Sequence, residues 1–393
     1  MRMKSQMYEK PLKRPYNPSF SSGPCPKFKS WKLADLDSAV LGRSHRSKLG
    51  KNKLQKAIEM TKDVLKLPQD YVVGIVPGSD TGAIELAMWN FLGYLGVDVL
   101  AWESFSSDWL GDIVGELKLD KVNKHIADYG RLPNLENVNF ENDVVFVWNG
   151  TTSGVKVPNG DWIPDNRRGL TICDATSAVF AMDMPWDKLD VVTYSWQKVL
   201  GGEAAHGILI LSPKAVQRLR EYAPNWPVPK LFKLANDKKP NLSIFTGSTI
   251  NTPSMLCVED YLVALQFVQE LGGLKEFIVR SKNNLDVIMQ WVSKTDWVEM
   301  LAKDPDTVSN TSICLQISDE KFANLEESDQ RAFIKDIVGL LASEDVAHDI
   351  EGYRNAPPGF RIWGGGTVES SDIEILCKWL EWAYSNVKND YYK

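Results

Sequence analysis

Six short apolar runs constrain the fold of this chain more than any other feature. They lie at residues 71–76, 97–101, 144–148, 170–173, 191–194 and 207–211, and several are near-continuous. A strand with one wet face alternates polar and apolar side chains, whereas a strand covered by helices on both faces does not. Helical patterns separate some of the runs. Residues 51–67 repeat Leu54, Ala57, Ile58, Val64 and Leu65 on one face and stop before Pro68. A second helix is expected over 81–95, after the turn Pro77-Gly78-Ser79-Asp80, and another around 109–119. That rhythm predicts an α/β fold: a large domain whose mostly parallel sheet is sandwiched by helices.

Beyond about residue 254 the pattern changes. A long apolar-rich helix over 255–271 leads into alternating helices and short strands at 312–317 and 359–363. The start is different again, rich in proline, serine and lysine, which favours extended backbone over a helix or a central strand. The expected organisation is an extended arm over 1–30, a large domain over 31–254 and a smaller C-terminal α+β domain over 255–393. A chain of 393 residues is too long for one simple core.

Composition narrows the partners. A formal net charge of −6 gives no electrostatic reason to expect nucleic acid. No run approaches the roughly 18 consecutive apolar residues of a membrane span. The five cysteines are scattered and never form a CxxC pair, so neither a disulfide framework nor a metal site is expected. With no apolar signal segment visible near the start, a cytoplasmic location is expected.

The chemistry concentrates in Ser195-Trp196-Gln197-Lys198. Lys198 follows the buried run ending at Tyr194 and precedes Gly201-Gly202, Ala204-Ala205 and Gly207. An amine between a buried strand and a small-residue loop is poorly hydrated, which lowers its pKa and makes it nucleophilic. Asp174 ends the run at 170–173, and the carboxyl ends of buried strands are where α/β sheets place ligand-binding groups. Alone, Asp174 reads as a helix cap and Lys198 as a lysine snorkelling from a strand end. Together they suit pyridoxal phosphate, the lysine holding its aldehyde as a Schiff base and the aspartate keeping its ring nitrogen protonated. At about 4 Å and an effective dielectric near 20 such an ion pair gains roughly 4 kcal/mol. Gly78-Ser79-Asp80-Thr81-Gly82, between a strand and a helix, offers backbone N–H groups and two hydroxyls to a phosphate. A plain structural turn is the alternative there. Beside a dianion, Asp80 would have to contribute its backbone rather than its carboxylate.

These motifs resemble a known family. Ser195-Trp196-Gln197-Lys198 with Gly201-Gly202, the Asp174 strand and the arm Phe20-Ser21-Ser22-Gly23-Pro24 are similar to class V, fold-type I pyridoxal phosphate aminotransferases. More narrowly, they resemble the phosphoserine aminotransferases. The resemblance implies that Lys198 carries the cofactor and Asp174 pairs with its ring nitrogen. It gives Thr151 to the ring oxygen, Phe105 to stacking on the ring, and Ser79, Asp80, Thr81 and Gln197 to the phosphate. Asn251 and Thr252 would reach that phosphate from a neighbouring subunit, so a homodimer with shared active sites is implied. His45 and Arg46, in the basic run 43–48, would meet the substrate phosphate across the same interface. Arg361 would bind the substrate α-carboxylate and Arg354 the phosphate, with Tyr353 standing where a histidine is often found. Trp196 and Asp80 depart from the family, occupying positions where small residues are common.

The implied reaction is a ping-pong exchange of an amino group between glutamate and 3-phosphohydroxypyruvate, giving O-phospho-L-serine. An alanine- or serine-glyoxylate aminotransferase would need no basic set of His45, Arg46 and Arg354. A cysteine desulfurase would need a mobile thiol motif, which is missing. A non-catalytic α/β ligand-binding protein would never form the Lys198 adduct, and a dehydrogenase would carry GxGxxG after the first strand.

Overall fold

The computed structural model describes residues 8–392. Its centre is a seven-stranded sheet built from β1 (Val72–Pro77), β2 (Val97–Ala101), β3 (Val122–Ile126), β4 (Asp143–Val147), β5 (Thr171–Asp174), β6 (Val191–Ser195) and β7 (His206–Leu211). The spatial order is β1-β7-β6-β5-β4-β2-β3. Only β7 runs against its neighbours, pairing antiparallel with β1 and β6, while β6-β5-β4-β2-β3 are parallel throughout. The α/β expectation holds. Strands β2, β4, β5, β6 and β7 are buried at every position, which accounts for their unbroken apolar runs.

The runs missed one strand. β3 reads Val-Asn-Lys-His-Ile, lies on the sheet edge and is only partly covered, so no apolar signal marks it. Its His125 and Asn123 side chains, with Asn142, meet the buried carboxyl of Asp98 on β2.

The helices follow their caps. α1 (Lys48–Leu65) begins where Ser47 accepts a hydrogen bond from the Gly50 N–H and ends with Lys66 in the left-handed conformation, ahead of Pro68. α2 (Ser79–Phe91) starts two residues earlier than its sequence pattern implies. α3 (Ser104–Gly111) stops short of the expected 109–119 span, and residues 112–116 form a π-helical turn instead. After α4 (Pro213–Glu221), α5 (Met255–Glu270) lies along α1.

A second layer holds the antiparallel strands β8 (Val298–Met300), β9 (Ser312–Ile317) and β10 (Gly359–Trp363). Helices α6 (Leu274–Val292), α7 (Glu320–Ala323), α8 (Glu327–Ser343) and α9 (Ser370–Tyr391) lie around it. The N-terminal arm is extended and fastened to this layer. Asp372 in the first turn of α9 accepts from the N–H groups of Tyr16 and Asn17. The Phe20 N–H donates to the His348 carbonyl, and the Trp363 N–H donates back to the Phe20 carbonyl.

An aromatic cluster fixes the end of β6. The Trp196 ring stacks on Tyr261 at 4.5 Å and 13°. The Tyr261 hydroxyl meets those of Tyr194 (2.8 Å) and Thr61 (2.7 Å), joining α1, α5 and β6. Trp196 is therefore a core residue, and its bulk is absorbed by α5 rather than by the cleft on the other side of the strand end.

Candidate active site

The carboxyl ends of β1, β2, β4, β5 and β6 open onto a cleft of about 200 Å³. Ser79, Asp80, Thr81, Phe105, Thr151, Asp174, Gln197 and Lys198 all line it. Eight side chains singled out in sequence thus meet in one place. Open α/β sheets bind ligands at this edge because the loops leaving the strands diverge there.

Lys198 sits one turn beyond β6. Its Nζ donates to the Ser22 carbonyl at 2.7 Å, and the arm is held against the lysine loop by a 2.7 Å hydrogen bond from the Cys25 N–H to the Gln197 carbonyl. Gly201, at φ 64°, lets the arm in: a Cβ there would come within 2.3 Å of the Pro26 carbonyl oxygen. Burial lowers the Lys198 pKa, and the nearby Arg361 charge lowers it further, against the opposing pull of Cys25, Asp174 and Asp80. A neutral amine is the nucleophilic form.

Asp174 ends β5 with its side chain in the cleft. Its Oδ1 accepts the Thr176 N–H at 3.0 Å, and its Oδ2 accepts the Trp109 indole N–H at 3.1 Å. Trp109 is a site residue that the sequence motifs do not single out. Its position on α3, one turn beyond Phe105, is the signal that helical spacing offers. Glu103 was also missed. It caps α3 through the Ser106 N–H (2.7 Å), accepts from the Thr152 hydroxyl (2.7 Å), and lines the cleft. Burial raises its pKa. Thr151 contacts the Ser177 hydroxyl at 2.8 Å, and the Asn149 amide donates to the same oxygen at 2.8 Å.

At the β1–α2 junction Gly78 (φ 85°) and Ser79 (φ 52°) both adopt the left-handed conformation. The tight approach needs glycines: a Cβ on Gly82 would lie 2.2 Å from the Pro77 carbonyl oxygen, and one on Gly207 would lie 2.3 Å from that of Ser79. The first bond that closes α2 comes from the Gly82 N–H to the Gly78 carbonyl (2.8 Å). The N–H groups of Asp80 and Thr81 therefore have no acceptor within the helix, as at any helix start, and suit an anion. The Asp80 residue lines the cleft with Ser79 and Thr81. It is buried beside Asp174, Thr176 and Thr193.

The donor set fits the cofactor expected from sequence. Gln197 Oε1, Ser195 Oγ, Asn149 Oδ1, Thr176 Oγ1 and Asp80 Oδ1 are buried with no hydrogen-bond partner among the described residues. Buried polar atoms normally have partners, so orphans clustered at one cleft mark a polar ligand's place. The amine, the carboxylate and the free N–H groups stand at separate points of that cleft.

One consequence is testable at Gly23. A Cβ there would fall 2.2 Å from Lys198 Nζ and 2.9 Å from its Cε, at a φ of 147° that L side chains rarely adopt. Gly23→Ala is expected to displace the amine and weaken pyridoxal phosphate capture at least about tenfold. Absorbance titration checks it, and unchanged affinity would mean the arm does not set the amine's position.

The remaining expected residues lie elsewhere. Arg361, on β10, has a buried Nε with no partner, and its charge acts on both Lys198 and Cys25. Tyr353 bridges toward the cleft: its ring is 5.7 Å from Phe105, 5.5 Å from the Arg361 guanidinium and 5.6 Å from that of Arg354. Arg354 itself is exposed. His45, Arg46, Asn251 and Thr252 do not line this chain's cleft; His45 and Arg46 precede α1, and Asn251 and Thr252 precede α5. Burial lowers the His45 pKa, and the Arg46 charge adds to that. Among the described residues no group of three or more His, Cys, Asp or Glu could hold a metal ion. No helix among them is long and apolar enough to cross a membrane.

The strand order, the lone antiparallel β7 and a lysine facing an aspartate across the sheet's carboxyl edge define a pyridoxal phosphate-dependent aminotransferase of fold type I. Solved structures agree on the fold. A phosphoserine aminotransferase from Cytophaga hutchinsonii superposes with a TM-score of 0.77 at 19% identity, covering 93% of this chain and 98% of that one. An alanine–glyoxylate aminotransferase from Nostoc sp. gives 0.75 at 16%, covering 98% and 100%. Fold similarity alone does not separate those two. Sequence identity does: this chain is 57% identical over 381 residues to phosphoserine aminotransferase of Methanosarcina mazei, covering 96% of this chain and all of that protein. The Methanosarcina barkeri protein of the same name is 56% identical over the same span. No family model matches. The chain belongs to the phosphoserine aminotransferase family.

Proposed function

We propose that the chain exchanges an amino group between O-phospho-L-serine and 2-oxoglutarate, giving 3-phosphohydroxypyruvate and glutamate, with pyridoxal 5′-phosphate as resident cofactor. The observation that carries this reading is the meeting of Lys198 and Asp174 in one cleft, within a chain 57% identical to a phosphoserine aminotransferase. Bound there, the cofactor supplies an electron-withdrawing ring that stabilises negative charge at the substrate α-carbon. Lys198 would hold the cofactor through its aldehyde, and its amine would carry a proton from and to the substrate α-carbon. Asp174 keeps the ring nitrogen protonated, and Trp109 and the Thr176 N–H hold that carboxylate in place. Phe105 covers the ring face, Thr151 bonds the ring oxygen, and Ser79, Thr81 and Gln197 with the Asp80 N–H take the phosphate.

Arg361 fits the substrate α-carboxylate because a guanidinium fork matches two oxygens and it lies near Lys198. Arg354 takes the substrate phosphate. His45 and Arg46 join it from a partner subunit, and Asn251 and Thr252 reach the cofactor phosphate the same way. The enzyme is a homodimer in this reading, which is supported by those four residues lying away from their own chain's cleft. The boundary between a large unit over 31–254 and a small one over 255–393 belongs to the same proposal. So does a cytoplasmic location, which five unpaired cysteines favour.

The test is a coupled assay comparing phosphoserine with serine and alanine as donors to 2-oxoglutarate. Two charge-assisted contacts to the substrate phosphate, each worth about 1.5–3 kcal/mol, predict a preference of at least about 100-fold in kcat/KM. Equal or better use of serine or alanine overturns the phosphoserine assignment while leaving a transaminase.

A further inference from the structure

The reaction assigned above uses Phe105, Thr151 and Asp174 and leaves Glu103 without a part. This side chain stands at the turn between β2 and α3, 2% exposed, and lines the same cleft. Its two oxygens serve different segments of the chain. Oε1 accepts the Ser106 N–H at 2.7 Å and so caps α3. Oε2 accepts the Thr152 hydroxyl at 2.7 Å and the Thr152 N–H at 3.2 Å. The Thr152 oxygen in turn accepts the Ser104 N–H at 3.1 Å, which ties the two segments a second time. The Tyr129 hydroxyl closes the network, 2.7 Å from Ser104 Oγ and 3.2 Å from Thr152 Oγ1. The two turns approach closely: a Cβ on Gly150 would fall 2.8 Å from Glu103 Cγ.

A helix cap alone does not call for this residue. Asp, Asn and Ser are the preferred caps, and all are shorter. Glutamate adds a methylene, and the added reach carries its second oxygen to Thr152, 49 residues further along the chain. The two ends of that link bear the groups expected around the cofactor ring. α3 carries Phe105 in its first turn and Trp109 one turn later, and the Trp109 indole N–H holds Asp174 Oδ2 at 3.1 Å. The other end carries Thr151, next to Thr152. A rigid ring met on its face, its nitrogen and its oxygen needs those groups in fixed register, and buried hydrogen bonds between their supports provide it.

We propose that Glu103 is a positioning residue: by clamping the start of α3 to Thr152, it sets Phe105, the Trp109–Asp174 pair and Thr151 in register around the cofactor ring. The clamp is formed by the protein alone. Its purpose rests on the transaminase reading, which it deepens.

Two variants separate the clamp from the cap. Glu103→Asp keeps a preferred capping residue and shortens the reach, whereas Thr152→Val removes the hydroxyl at the far end and leaves the cap in place. Absorbance titration with pyridoxal phosphate reads affinity. Visible circular dichroism per bound cofactor reads how firmly the ring is fixed, because a flat ring gains that signal only from ordered asymmetric surroundings. Each variant is expected to bind pyridoxal phosphate about tenfold more weakly and to show a reduced visible signal per bound cofactor. The double variant should lie within about twofold of the weaker single one, because both cut the same link. Wild-type affinity and visible signal in Glu103→Asp would make the residue a cap and overturn the proposal. So would losses that multiply to about 100-fold in the double variant. Should Thr152→Val fail to fold, the titration and the visible signal of Glu103→Asp still decide. Wild-type turnover of phosphoserine tests the transaminase reading by itself, so that reading stands or falls apart from these outcomes.

Discussion

Lys198→Ala is expected to abolish both the colour and the activity of the enzyme. Wild-type protein supplied with pyridoxal phosphate should absorb above about 400 nm through its covalent link to Lys198, and borohydride should remove that band. The alanine variant lacks the only amine that lines the cleft among the described residues. It loses the covalent anchor and the proton carrier together, and proton transfer by a positioned side chain is worth about 10²–10⁴ in rate by itself. Turnover of phosphoserine should fall by at least about 10⁴-fold with both roles removed. The fold should survive, because the strand end is held by Trp196 on Tyr261 and not by the lysine. A variant that keeps the band, or retains more than about a hundredth of wild-type activity, would place the reacting amine elsewhere.

Asp174→Asn is expected to produce the second largest loss. The change keeps a side chain of the same shape, and its Oδ1 still accepts one of the two N–H donors from Trp109 and Thr176. What disappears is the charge opposite the ring nitrogen. At about 4 Å with an effective dielectric near 20 that charge is worth roughly 4 kcal/mol, so the single-turnover rate with phosphoserine should fall by about 10³-fold. Stopped-flow absorbance measures it. A loss below about tenfold would mean the ring proton is held without this carboxylate.

The sequence made some of this legible and not the rest, for physical reasons. Strands β4 to β7 are buried at every position, so each must be apolar throughout, and an unbroken run is visible without a structure. β3 obeys the opposite rule. At the sheet's edge its Asn123, Lys124 and His125 face water or Asp98, and hydropathy has nothing to report. Lys198 and Asp174 stood out because each sits where an apolar run ends. Glu103 and Trp109 did not, since an acidic cap and a tryptophan on a helix have ordinary structural roles; only their convergence on Thr152 and Asp174 reveals them. Asp80 was legible as a residue and not as a geometry. Its place in the turn pointed to phosphate, whereas its carboxyl is buried under the influence of the Asp174 charge. Trp196 stood out in sequence only as a bulky departure from the family pattern, and the stacking partner that claims it lies on α5, 65 residues away.

Residues 16–25 of the arm act as a tie-rod. One end is bolted to the β10 strand and α9 through Phe20 and Asp372, and the other is clipped to the loop that carries the reactive amine through Cys25. Any swing of the three-stranded layer relative to the great sheet must therefore stretch this strut or drag the Ser22 carbonyl off the lysine nitrogen. Opening the molecule and uncovering its nucleophile are, in this architecture, a single mechanical event.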